Sequence, residues 1–409
     1  MRFQRGERYP SPLSTLFNFD IRVNIMSIDY DRLPFQPEEY LARRDALRAL
    51  MAERGIDVCV LNSTSNMYYL TGFGSLAYGA TSLIVRADGR AIWVMRLTEL
   101  SNIRALKGKI WVDEGVGVRD GEDYATVLAR TIADLAPGKP VVAVEYGNVQ
   151  QALRGFVKPT DDAVLNASGL VEHLRRVKSS AEIALLRKAG FIAAQSCRDG
   201  FAALREGMTD AELAAVVTNS LLANGSHRVA QMPNVCAGPR TARAHVTWCG
   251  APISRGDLIN IEPAGSVFDY HTPVYRFYSI GEPSARVRTM FEVCKEALNE
   301  GYANVRPGMT SHEAARIFES VFERRGFAEW VVTRPAYSIG GTFPPGWGED
   351  NVMAIRRNHD AVLEEGMCFH ISPVLYQDGI GCVGASMPSV LTANGFESLS
   401  GDEAVFGVK

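Results

Sequence analysis

Glu262 closes an apolar run, LINIE, and a carboxylate at the end of such a strand is either partly buried and functional or a plain surface strand end. In the first case it can attack an electrophilic carbon or activate water. His245 lies in ARAHVTW, where a ring titrating near neutrality suits proton transfer and a satisfied structural histidine is the alternative. His271 and Arg276 stand five residues apart in YHTPVYRF, so a regular strand turns them to opposite faces unless a bulge intervenes. Arg276 is suited to clamp a substrate carboxylate in bidentate fashion, the alternative being an ion pair with Glu262 or a surface acid. His370 and Ser372 share one face of CFHIS, where His370 would donate to a carboxylate or shape a pocket. The Tyr337 phenol would hydrogen-bond a substrate or fill volume. Trp347 and Phe343, beside Pro344-Pro345, would make an apolar wall with Glu349 as a rim acid, or only a structural Pro-rich loop.

These residues need a scaffold. PEEYLARRDALRALMAERG places Tyr40, Leu41, Leu47, Leu50 and Met51 at helical spacing and stops at Gly55. An apolar strand (58–62) follows, then TSLIV and AIWVM around Asp88-Gly89, a dipeptide that favours a tight hairpin. EDYATVLARTIADLA reads as a helix and VVAVE as a buried strand, so the first domain is α/β. It ends near HLRRVKSSAEIALLRK, where Ser179 and Glu182 form a capping box that opens a long helix. The second half repeats itself at an offset of 101 residues. REGMTDAELAAVVTNSLLANG (205–225) resembles RPGMTSHEAARIFESVFERRG (306–326), with Thr209/Glu212 and Thr310/Glu313 as capping boxes. Each copy has a long helix before it and strand-like segments after it, which predicts two αα-then-β units in an α+β domain with internal pseudo-two-fold duplication. The expected division is an extended arm over 1–34, an N-terminal domain over 35–175 and a C-terminal catalytic domain over 176–409.

Bulk properties narrow the function. The 409 residues are 46% hydrophobic and 22% charged, enough for two packed domains and inconsistent with disorder. A net charge of -3 without a basic stripe gives no footprint for nucleic acid or an anionic membrane. The seven cysteines are scattered, with no CxxC pair or zinc-type spacing, and fit reduced thiols in a cytoplasm. The first thirty residues hold no apolar run, so neither a secretory leader nor a membrane anchor is expected.

Four segments carry a resemblance to a known family: GDLINIEPAGSVFDYHTPVYRFYSIGEP (256–283), RAHVTW (243–248), PAYSIGGTFPPGWGE (335–349) and EEGMCFHISPVL (364–375). With the duplication, they make the chain resemble the creatinase and aminopeptidase P, or pita-bread, family over roughly residues 37 to 400. The resemblance implies a creatinase-like N-terminal domain and a pita-bread catalytic domain. Peptidases of this family hold two metal ions with two Asp, one His and two Glu. Here those positions fall on Glu262, Pro273, Tyr337, Ser372 and Ser386 or Met387. One usable carboxylate cannot hold a dinuclear site, so no metal and no other cofactor is expected. The chain is most similar to the ligand-deficient branch that includes creatinase and ectoine hydrolase, sharing Glu262-Pro263-Ala264-Gly265, Tyr270-His271-Thr272-Pro273-Val274-Tyr275-Arg276 and the Pro-Pro-x-Trp-Gly-Glu segment. It departs from that pattern at Met387, where an acid is usual, and in the loop FGSLAYGAT.

That resemblance implies hydrolysis of a C–N bond in a small zwitterionic amidine or amide, ectoine or hydroxyectoine leading, with no metal. Glu262 would be nucleophile or base and His245 the proton carrier. His271, Arg276, Tyr337, His370 and Trp347 would bind substrate. Tyr78 and Arg96 would reach the pocket of a neighbouring subunit in a homodimer. The rival expectations are a metal-dependent Xaa-Pro dipeptidase and a non-catalytic binding protein on the same fold.

Overall fold

A computed structural model describes residues 29, 30, 32–75, 80–146 and 164–409. Most of the expected arm, and Tyr78 with it, lie outside the described residues. Tyr30 is described: it stacks on His227 with ring centroids 4.1 Å apart and donates a hydrogen bond to the Gly225 carbonyl, on its own chain's C-terminal domain.

The N-terminal domain is built on a six-stranded mixed sheet with Val58–Leu61 near its middle, antiparallel to Ser82–Arg86 and parallel to Val142–Val144. Both faces are covered. Cys59 and Leu61 point to a core shared with Leu47 and Met51 of the helix Pro37–Glu53, whereas Val58 and Val60 meet Leu128 and Ile132 of the helix Tyr124–Leu135. The period-2 alternation of a strand thus feeds two apolar layers, as an α/β sandwich requires. The hairpin at Asp88-Gly89 forms as expected, with Gly89 at φ 95°, a conformation that costs glycine little.

In the C-terminal domain the helices Ser180–Ala203 and Asp210–Ala223 pack as one pair, and Ala285–Asn304 and Ser311–Arg324 as another. Three of the four open with the capping boxes expected at Ser179/Glu182, Thr209/Glu212 and Thr310/Glu313. Each box satisfies two backbone N–H groups that would otherwise be orphaned at the helix start. Each helix pair lies on its own sheet core. The strands repeat as well. Leu258–Glu262, the hairpin of Ala264–Val267 with Tyr270–Pro273, and Arg276–Ser279 make one set; Cys368–Ile371, the hairpin of Val374–Gln377 with Gly381–Gly384, and Met387–Thr392 make the other. Among the described residues no helix is long and apolar enough to cross a membrane.

A buried ion cluster joins the domains. The Glu349 carboxylate accepts from Arg175 at 2.5 Å and from Lys178 at 2.9 Å, and Arg175 also donates to Asn66 of the N-terminal domain at 2.6 Å. Burial pushes the Glu349 carboxyl up, but the two cations outweigh it and hold it below the usual range. The expectation of Glu349 as a rim acid is therefore corrected: it is 1% exposed, with both oxygens spent on the interdomain clamp.

Candidate active site

The two pseudo-equivalent strand sets face each other across a cavity of about 280 Å³. From the first set, Asn260 and Glu262 reach it from alternate positions of one strand, hence from one face. From the second come His370 and Ser372, with Tyr337 and Trp347 from the strand and loop beside them. His245 lies at the exposed edge with φ 55°, in the loop after the short helical turn Gly238–Ala242. Arg334 and Asp350 form an ion pair at the cavity, and the Arg334 guanidinium lies 4.7 Å from the Tyr337 ring centroid.

Glu262 is directly opposite Asn234 on the neighbouring strand, and its Oε2 accepts from Asn234 Nδ2 at 3.0 Å. Burial pushes its carboxyl up to about 7, the Asn234 bond opposing that rise only in part. An acid poised there can take or give a proton at neutral pH.

Opposite Glu262 a hydrogen-bonded chain runs through His370. Ser386 Oγ accepts from the Tyr275 N–H at 3.1 Å and lies 2.5 Å from His370 Nε2. Burial lowers the His370 pKa to about 3, with Arg276 and Arg334 adding to the shift, so the ring is neutral and carries one proton. Its Nδ1 is hydrogen-bonded to Tyr337 Oη at 2.8 Å, the donor being set by which ring nitrogen holds that proton. Trp347 Nε1, which can only donate, gives a second bond to the same oxygen at 3.1 Å. With the His370 proton on Nδ1, Tyr337 accepts twice and its own proton is left for a ligand; with it on Nε2, the phenol donates to Nδ1. Burial, followed by the Glu262 charge, holds this phenol well above its ordinary pKa, so it stays protonated in the cavity wall.

The structure thus brings Glu262, His245, Tyr337, His370 and Trp347 to one cavity and places the other predicted residues elsewhere. His271 is 1% exposed, its Nε2 accepting from the Ala230 N–H at 3.0 Å while Nδ1 donates to the Asp269 carbonyl at 2.8 Å. It has no free ring nitrogen for a substrate, and burial lowers its pKa to about 4. Arg276 is 3% exposed and donates to the Ser386 carbonyl at 2.8 Å and to Asp402 at 2.8 Å, so the ion-pair alternative applies, with Asp402 as partner instead of Glu262. The two residues do not share a strand: one sits in Tyr270–Pro273 and the other in Arg276–Ser279, in different sheets. Phe343 packs on Tyr68 at 5.3 Å, away from the Trp347 wall. Arg96 ends the strand Ala91–Arg96 in the N-terminal domain and pairs with Asp120 at 3.0 Å, outside this cavity.

Sequence reading missed Asn234, Asn260 and Arg334. Asn260 carried a signal, since it stands two residues before Glu262 in LINIE and so shares its face. Asn234 and Arg334 carried none, because their positions depend on cross-strand register and on a loop.

A creatinase-type first domain and a duplicated second domain around a polar cavity define a class of hydrolase-like proteins. The chain belongs to Metallopeptidase family M24, which it matches over residues 184–392, preceded by a Creatinase/Prolidase N-terminal domain over residues 43–177. It is 27% identical to the ectoine hydrolase of Halomonas elongata, over 90% of this chain and 96% of that one. It is also 27% identical to an Xaa-Pro dipeptidase of Lactobacillus delbrueckii subsp. lactis, over 86% and 95%. Dipeptidase PepE from Mycobacterium ulcerans superposes with a TM-score of 0.78 at 25% identity, covering 91% of this chain and 99% of that one. These matches establish the pita-bread fold and an M24-family hydrolase.

The family name implies metal ions, and the side chains present do not fit a dinuclear centre. Among the described residues no three His, Cys, Asp or Glu are gathered where an ion could be held. At the positions aligned with ligands, Pro273 has no donor atom and Tyr337 and Ser386 are committed to the hydrogen-bond chain through His370.

Proposed function

We propose that this chain hydrolyses a C–N bond in a small zwitterionic amidine or amide, as the ectoine hydrolase relative's name suggests, with ectoine or hydroxyectoine as leading substrates and without a catalytic metal. The observation that carries this reading is the Glu262 carboxylate, poised near neutrality and free of any cationic partner among the described residues, in a cavity whose opposite wall carries the Tyr337 phenol. A protonated amidine carbon is already electrophilic, so a carboxylate supplies both activation of the attack and charge stabilisation. Glu262 takes a proton from water as the water oxygen bonds to the amidine carbon. The C–N bond then breaks, and the departing nitrogen takes up a proton relayed by His245 at the cavity edge. Acting instead as a nucleophile, Glu262 would bond to the amidine carbon as one nitrogen departs with a proton from His245, and water would then cleave the resulting imidoyl ester and free the carboxylate. Arg334 is the cation suited to the substrate carboxylate, the role expected of Arg276. The working form is a cytoplasmic homodimer, with Arg96 offered to the partner's site.

The test is a panel of ectoine, hydroxyectoine, creatine and Xaa-Pro dipeptides with wild type and Glu262→Gln, alongside metal analysis of the purified protein. The expected result is C–N hydrolysis of a panel member that is lost in Glu262→Gln and insensitive to chelators. The equally similar Xaa-Pro dipeptidase relative supports a second reading, and dipeptide cleavage with a stoichiometric, chelator-sensitive metal would replace the first with it.

A further inference from the structure

Asn260 is 3% exposed and belongs to the cavity wall, yet its Oδ1 has no hydrogen-bond partner. Buried carbonyl-type oxygens are nearly always satisfied, so an unpaired one in a residue of the cavity wall calls for a donor that the described residues do not supply. The amide cannot be turned round to remove the problem. Its Nδ2 donates to the Cys382 carbonyl at 3.3 Å, a group that can only accept, and to Tyr275 Oη at 2.9 Å. Those two bonds fix which end of the amide stays open.

Two residues along the same strand face stands Glu262, whose Oε2 is taken by Asn234 and whose Oε1 has no partner among the described residues. Alternate strand positions lie about 6–7 Å apart, a span that side chains of this length close onto one small ligand. The strand face therefore offers a pair of open acceptors, one neutral and one acidic. The matching ligand presents at least two N–H donors on a planar, cationic centre.

We propose that Asn260 is a specificity-determining residue which, together with Glu262, receives the N–H groups of an amidinium-type substrate. Resting on the hydrolase reading above, this names the feature that selects amidines over prolyl dipeptides. The scissile nitrogen of an Xaa-Pro bond bears no hydrogen and leaves the Asn260 oxygen unsatisfied, a penalty that rejects such ligands strongly.

The test reads binding, separately from turnover. Calorimetric titration of the full chain with acetamidinium, and with its N-permethylated analogue, is made on wild type, Asn260→Leu and Asn260→Asp. Asp keeps an oxygen acceptor and, when protonated, a donor for the Cys382 carbonyl. Wild type is expected to bind acetamidinium about 10- to 100-fold more tightly than the permethylated cation, the range that loss of one charge-assisted hydrogen bond gives. Asn260→Leu should lose most of that preference and Asn260→Asp should retain it. Equal binding of the two cations by wild type overturns the proposal even if the Leu variant does not fold, and so does an unchanged preference in a folded Asn260→Leu. Preference without hydrolysis of any panel member sinks the hydrolase reading and leaves this one. Glu262-dependent hydrolysis without preference does the reverse.

Discussion

Replacing Glu262 by Gln should make the protein more stable, and increasingly so as the pH rises. The native carboxyl titrates at about 7, against 4.5 for the ordinary group expected in the unfolded chain. Between those values the unfolded state has released its proton while the native state still holds it, so stability falls as pH rises and levels off above about 7. At about 1.4 kcal/mol per pH unit the full shift would be worth about 3 kcal/mol, and water entering the open cavity reduces the expected loss to about 2–3 kcal/mol. Gln keeps an oxygen to accept from Asn234 and never ionises, so the variant escapes this loss.

Wild type alone would hide the effect. Glu145, fully buried and also pushed up to about 7, adds to the fall, whereas His271 and His370, lowered to about 4 and about 3, gain stability as the pH rises toward 6.5. Two rising and two falling contributions nearly cancel below that pH. The informative quantity is the difference between Glu262→Gln and wild type in urea unfolding at several pH values from 4.5 to 8, since the other three groups are common to both. A difference that grows by about 2 kcal/mol or more supports a carboxyl poised near neutrality. A difference flat to within about 0.5 kcal/mol shows that Glu262 titrates normally and removes the basis for its role as a base at pH 7.

Four further substitutions separate catalytic, binding and structural roles. Tyr337→Phe keeps the ring but removes the cavity-wall hydroxyl, so kcat on whichever panel substrate turns over should fall on the order of 100-fold with KM little changed; an unchanged kcat makes the phenol mere filling. Glu349→Gln leaves Arg175 and Lys178 without their buried counter-charge and should cost about 3–5 kcal/mol in thermal or urea unfolding, whereas a loss below about 1 kcal/mol would contradict the interdomain clamp. Arg334→Ala should raise KM for a carboxylate-bearing substrate about tenfold or more with stability nearly unchanged, while Arg276→Ala should destabilise by about 3–5 kcal/mol through loss of the Asp402 pair. The reverse pattern would restore the carboxylate role to Arg276.

What the sequence revealed depended on how local the cause was. The three capping boxes need only residues three apart, and each formed as expected. The hairpin at Asp88-Gly89 and the αα-then-β repeat are equally local, which is why the architecture was legible from one chain. Glu349 was misplaced because its partners Arg175 and Lys178 lie more than 170 residues away, and nothing near Pro344-Pro345 points to them. The opposite-face argument for His271 and Arg276 assumed one continuous strand. The chain instead leaves its hairpin at Pro273 and enters another sheet at Arg276, so alternation across that break has no meaning.

The duplication that was legible also explains the asymmetry that was not. Asn260 and Glu262 occupy the same places in the first strand set as His370 and Ser372 in the second, and Tyr275 precedes its closing strand as Ser386 precedes the other. Asn260 donates to the Tyr275 hydroxyl, and His370 is bonded to the Ser386 hydroxyl, so the two halves carry one hydrogen-bond design in different residues. In the second half the design is closed, since both ring nitrogens of His370 are engaged, with Ser386 and with Tyr337. In the first half the Asn260 Oδ1 and Glu262 Oε1 oxygens have no partner among the described residues. A repeated backbone thus sets a closed wall against one with unpaired acceptors, and on the proposed reading a substrate bound between them presents N–H groups to the latter. A pair of metal ions would need anionic donors from both halves. On that same reading, replacing them on one side with a closed neutral chain would turn a cation cage into a slot for a small organic cation.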